Sequence, residues 1–170
     1  VVIGSSFGGW IAADMAIRSC QNISRLVLLN NVGFKFAGTT ENEIMDLYAS
    51  PLADVKAALY SEATLRTMNI SGASDELLAH IVEDRTAEAY YGWSPYMHTP
   101  DLHRWLHRMT CPTLLMWGEE DRVVPLSYGT KIAQRIPKAK LQKVPRAAHY
   151  PHIENPASVL SHIQDFVNSR

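Results

Sequence analysis

Ser6, Asp121 and His149 carry the side chains needed to activate a hydroxyl group for attack on a carbonyl carbon, and each follows an apolar run that reads as a strand. Ser6 lies in Gly4-Ser5-Ser6-Phe7-Gly8, a G-x-S-x-G pattern. A serine hydroxyl is a weak nucleophile in water, so this chemistry needs it lifted on a tight strand-to-helix turn within reach of a base. Gly4 and Gly8 are expected to leave room for that turn. The Phe7 N–H, in the first turn of the following helix, is expected to point where an oxyanion would form. His149 would take the serine proton during attack and return it to the leaving group, while Asp121 would fix the imidazole tautomer. Two alternatives stay open: Glu119 or Glu120 could serve as the orienting acid, and His152 lies close to His149.

These residues can meet only if the strands before them run parallel in one sheet, which puts their carboxyl ends on a single edge. Val1–Gly4 reads as a strand and Phe7–Ser19 as a helix, with Trp10, Ile11, Ala12, Met15 and Ala16 in its apolar mix. The runs Arg25–Asn30 and Pro112–Gly118 have the continuous apolar character of strands buried on both faces. A helix over Ser127–Ile136 and a shorter strand over Ala139–Val144 follow. Asn155-Pro156 opens a last helix whose Val159, Leu160, Ile163, Phe166 and Val167 fall at helical spacing. The alternation predicts an α/β fold with an open parallel sheet. Core segments 1–33 and 110–170 are expected to flank a helical cap over 34–109.

In the cap, Thr40 and Glu43 form a capping box, and Ser50-Pro51 and Thr99-Pro100 each pair an N-cap residue with proline. Ser74 is expected to cap a helix reaching Tyr90, with Leu77, Leu78, Ile81, Val82 and Ala89 as its apolar faces. No strand is expected there. Trp93, Tyr96 and Met97, in an aromatic cluster with Tyr90 and Tyr91, are the candidate substrate-lining residues. His103 and His107 are four apart, a spacing that can bind zinc on a helix. Arg104 and Arg108 crowd them and H-E-x-x-H is absent, so they read as packing or surface residues and no metal is expected. Glu154 is expected to hold the backbone around His149.

The 170 residues are 46% hydrophobic and 19% charged with a formal charge of −1, which suits a globular core and a small-molecule substrate. Nucleic acid and acidic membrane surfaces are not expected partners. Cys20 and Cys111 are too few for a disulfide framework, and no leader or long apolar run is seen, so a reducing cytoplasm is the expected compartment.

Taken together, Gly4-Ser5-Ser6-Phe7-Gly8-Gly9, Pro112-Thr113-Leu114-Leu115-Met116-Trp117-Gly118-Glu119-Glu120-Asp121 with Pro125, and His149-Tyr150-Pro151-His152-Ile153-Glu154-Asn155-Pro156 resemble the α/β-hydrolase superfamily, in its capped esterase and carbon–carbon-bond hydrolase branch. The resemblance implies the last four strands of that sheet with an inserted cap. It implies hydrolysis of an ester or similar acyl bond of a small apolar substrate through an acyl-enzyme on Ser6, Asp121 and His149, without metal or organic cofactor. A carbon–carbon-bond hydrolase of ring-cleavage products would use the same residues, and a ligand-sensing member of the fold is a further alternative. Serine at position 6 departs from the related haloalkane dehalogenases and epoxide hydrolases, which carry aspartate there. Members of the family have four strands before the nucleophile turn and a loop among them that supplies a second oxyanion N–H. More chain is therefore expected upstream of Val1, and these 170 residues alone are expected to be inactive and poorly soluble.

Overall fold

A computed structural model describes residues 1–38, 40–67 and 74–169. Its four strands, β1 (Val2–Ser5), β2 (Leu26–Leu29), β3 (Thr113–Gly118) and β4 (Ala139–Val144), form one parallel sheet in the order β1-β2-β3-β4. Ser5 pairs with Leu29 and Leu29 with Met116, so the carboxyl ends of the strands lie together. β2 and β3 are buried at every position because both faces of the sheet are covered. Leu26, Leu28, Leu115 and Trp117 face α1 (Ser6–Arg18) and α5 (Leu126–Ala133), meeting Ala12, Ala13, Ala16, Tyr128 and Ile132. Val27, Leu29, Leu114 and Met116 face the other way, onto Val159 and Phe166 of α7 (Pro156–Asn168). Period-two alternation thus splits one apolar run between two cores. Asn155 caps α7, its side chain accepting from the Ser158 N–H at 3.3 Å, with Pro156 in the first turn.

Between β2 and β3 lie α2 (Leu52–Leu59), α3 (Glu62–Thr67), α4 (Asp75–Gly92) and a 3₁₀ segment, Leu102–Arg108. Among the described residues the only sheet-like contact in this stretch is the single bridge from Gly33 to His98. Ser74 does cap α4, accepting from the Leu77 N–H at 3.2 Å. The other start signals are corrected. No helix begins at Thr40, since the Glu43 carboxylate is used by the N–H groups of Phe36 and Ala37 and by the Lys131 ammonium at 2.6, 2.8 and 2.7 Å. Pro51 itself occupies the N-cap position of α2, and Thr99-Pro100 lies in a turn before the 3₁₀ segment, where the Thr99 carbonyl accepts from the Leu102 N–H. The apolar residues of α4 are not core: Leu77, Leu78, Ile81 and Val82 are exposed and only Gly92 is buried, because this helix leans over a cavity rather than onto the sheet. No described helix is long and apolar enough to cross a membrane.

Candidate active site

β1 ends at Ser5 and α1 begins at Ser6, whose φ of 49° lies in the left-handed region that non-glycine residues seldom occupy. The sharp reversal presses the strand end against the helix start. A Cβ on Gly4 would stand 2.5 Å from the Gly8 carbonyl oxygen, and one on Gly9 would stand 2.4 Å from the Asn31 Cβ. Gly4 is therefore needed as expected. Gly8 is not, since a Cβ there meets nothing within 4 Å, and the close packing falls on Gly9 instead. Phe7 is in the first turn of α1, whose N–H groups have no intrahelical acceptor.

The turn brings Ser6 Oγ to 2.8 Å from His149 Nε2, and His149 Nδ1 lies 2.9 Å from Asp121 Oδ2. Three residues from three strand ends make one hydrogen-bonded line. His149 and Asp121 are both buried. Glu119 and Glu120 are exposed, so of the three adjacent acids only Asp121 turns inward to the imidazole. Its other oxygen, Oδ1, accepts from the N–H groups of Val123 and Val124 at 2.8 and 3.0 Å. His152 does not join this line. It packs edge-on to Tyr150, and burial, then the neighbouring His149, lowers its pKa.

Several supports were not singled out from sequence. Asn30, at the carboxyl end of β2 with φ 43°, donates from Nδ2 to Asp121 Oδ2 at 2.5 Å and accepts the Gly118 N–H on Oδ1 at 3.2 Å. Its placement just past an apolar strand is the same signal that marks the other three. The Leu59 carbonyl accepts the His149 N–H at 3.1 Å, a backbone contact with no residue signature. Glu154 holds the backbone as expected, its two oxygens accepting from Ala148 and Ser61 N–H groups at 2.6 and 2.7 Å. Gly118 lets the histidine loop close in, for a Cβ there would meet the Ala148 carbonyl oxygen at 1.9 Å.

A cavity of about 610 Å³ opens beside Phe7 and Tyr150, the chain neighbours of Ser6 and His149. One wall is α4, through Ile81, Asp84, Arg85, Glu88 and Tyr91, with Leu59 and Tyr60 from the end of α2. Tyr150 packs between His149 and Tyr60, and burial pushes its hydroxyl up to about 12. Burial raises the Glu88 carboxyl as well, against the opposing charges of His149 and Arg85. The expected lining residues lie elsewhere. Met97 is buried in the core against Gly92, Tyr96 donates to the Met45 carbonyl and accepts from the Leu47 N–H, and Trp93 packs on Tyr48 at the surface. Of the aromatic cluster around them, Tyr91 does line the cavity. His103 and His107 sit on a 3₁₀ segment, whose three residues per turn do not align positions four apart. His103 packs on Phe36, while His107 is exposed with Nδ1 2.9 Å from the Arg104 carbonyl.

A family model described as alpha/beta hydrolase fold matches residues 1–156. The 2-hydroxymuconate semialdehyde hydrolase of Pseudomonas putida is 27% identical over 176 aligned positions, covering 98% of this chain and 61% of the relative. The pimeloyl-[acyl-carrier protein] methyl ester esterase of Aromatoleum aromaticum is also 27% identical, over 98% of this chain and 73% of its own. Among solved structures, a serine hydrolase involved in carbazole degradation superposes with a TM-score of 0.72 at 19% identity, over 99% of this chain and 63% of that one. The chain thus spans about three fifths of the length of the first of these relatives.

Proposed function

The chain belongs to the α/β hydrolase fold family, and on that footing we propose that Ser6, His149 and Asp121 act as a triad that hydrolyses an ester or similar acyl bond of a small, largely apolar substrate. The observation that carries this reading is the unbroken line from Ser6 Oγ through His149 to Asp121 at 2.8 and 2.9 Å. Ser6 Oγ attacks the acyl carbon as its proton passes to His149 Nε2. The carbonyl oxygen takes up negative charge near the Phe7 N–H. Collapse of the tetrahedral species breaks the bond to the leaving oxygen, which receives the proton from His149, and leaves the acyl group on Ser6. Water, deprotonated by the same nitrogen, then releases the acid and restores the serine. Asp121 holds the Nδ1–H tautomer throughout.

Cleavage of a carbon–carbon bond beside an aldehyde or ketone carbonyl is a second reading, favoured by the muconate semialdehyde hydrolase relative. A substrate of that kind carries a carboxylate. Both readings require Ser6, and in the full-length protein a fluorophosphonate probe is expected to label it and to lose its target in Ser6→Ala. Turnover of short acyl chromogenic esters is expected to fall on the order of a thousandfold in Ser6→Ala or His149→Ala. A folded protein that the probe leaves unlabelled would overturn the triad, and turnover of ring-cleavage dienones but not esters would select the second reading.

A further inference from the structure

The wall that α4 turns toward the cavity is apolar at its ends, Ile81 and Tyr91, and charged in its middle, where Asp84, Arg85 and Glu88 lie within five residues. Positions three and four apart share a helix face, so these side chains form one surface above Phe7 and Tyr150. Two carboxylates there stand against one guanidinium. Arg85 is already engaged, donating from Nη2 to the Leu47 carbonyl at 3.4 Å with its guanidinium over the Tyr48 ring, 5.8 Å from the centroid. It also lies three residues before Glu88, on the same helix face and in the same cavity wall. Glu88 is half-buried, so water screens its charge less than that of a surface acid, and a ligand that fills the cavity removes more of that screening. An anionic group on the acyl portion would therefore meet a wall of net negative charge.

We propose that Glu88, backed by Asp84, is a specificity-determining residue that admits neutral acyl groups and rejects those bearing a carboxylate. The assignment rests on the hydrolase reading above, and it sets neutral esters ahead of carboxylate-bearing ketones as substrates. Glu88 does this by charge alone, without touching the reacting atoms.

The test, on the full-length protein, compares two esters of nearly the same length, 4-nitrophenyl butyrate and 4-nitrophenyl hydrogen succinate, in which a terminal methyl becomes a carboxylate. The ratio of their kcat/KM values is read, so a change common to both cancels. The wild type is expected to prefer the butyrate ester. Glu88→Gln is expected to shrink that preference about threefold to tenfold, mainly through KM for the succinate ester, and Glu88→Lys to shrink it further. Glu88→Asp keeps the charge and should keep the preference, and added salt should weaken it. A wild type that prefers the succinate ester, or a ratio that stays the same across all four proteins while Ser6-dependent turnover persists, overturns the assignment and leaves the hydrolase reading standing. Turnover that does not depend on Ser6, or none with either ester, overturns the ester reading and this assignment with it.

Discussion

Asn30 shows how much of the site's order lies in side chains that touch no reacting atom. Its amide ties together two groups from different parts of β3 and its turn, the Asp121 carboxylate and the Gly118 N–H, and it does so completely buried. Asn30→Leu keeps the branched skeleton with more bulk but leaves the Gly118 N–H unpaired, at a cost of about 1–3 kcal/mol, and removes one of the donors that fix Asp121. The imidazole should then be held less firmly, with kcat lowered about tenfold or more. Asn30→Asp should be worse, because it sets a second carboxylate against the first. Urea unfolding and ester turnover measured together check this, and a destabilised variant with full kcat would reduce Asn30 to a structural role. The strand-end argument that picks out Ser6, Asp121 and His149 applies to Asn30 just as well, since it too follows an apolar strand. The choice among Glu119, Glu120 and Asp121 is harder to read, because three consecutive acids in a turn differ only in where the backbone aims them. The Leu59 carbonyl cannot be read at all, for every residue has one.

The elements that hold the site divide by what determines them. β2 and β3 are readable as strands because both faces are covered and their residues form continuous runs that are almost wholly apolar, Thr113 excepted. Between β2 and β3, short helices owe their ends to tertiary partners. Glu43 serves Lys131 of α5 and two loop N–H groups rather than a helix start, which local sequence does not reveal. The turn at Ser6 is a similar case, since the G-x-S-x-G pattern directs attention to Gly8 while the crowding lies at Gly4 and Gly9. Gly8→Ala should be neutral or stabilise the protein by up to about 1 kcal/mol, as alanine is the better helix residue and its methyl meets no neighbour. Gly9→Ala should destabilise by about 1–3 kcal/mol, by forcing α1 away from Asn31 and with it from the end of β2. Thermal or urea unfolding of the two variants distinguishes them. Equal losses at both positions would mean that the motif glycine, not the helix-to-strand contact, sets the turn.

Across the whole molecule the sheet is asymmetric. Its interior strands are sealed by α1 and α5 on one face and α7 on the other, while its two edges differ: β4 carries Lys140, Gln142 and Lys143, and β1, with β2 as its single neighbour among the described residues, is apolar. Val1 and Ile3 are more than half exposed, and Ile11 and Met15 on the adjoining helix are at least half exposed. Val1–Gly4 reads as a strand because its composition resembles that of β2. Whether an apolar strand is sealed depends on what pairs with it, and that is a property of its neighbours rather than of its own residues. An apolar edge presents a row of unpaired N–H and C=O groups next to a hydrophobic surface, the arrangement that templates pairing between chains. These 170 residues are therefore expected to self-associate through β1. Ile3→Lys places a charge on that edge without changing the strand's hydrogen bonds to β2, and should shift the protein toward monomer. Light scattering over a concentration series reads the outcome, with Leu160→Lys on α7 as a control at an exposed apolar position far from this edge in sequence. Equal relief from both variants would assign the association to general surface hydrophobicity, and no relief from Ile3→Lys would show that β1 is not the contact.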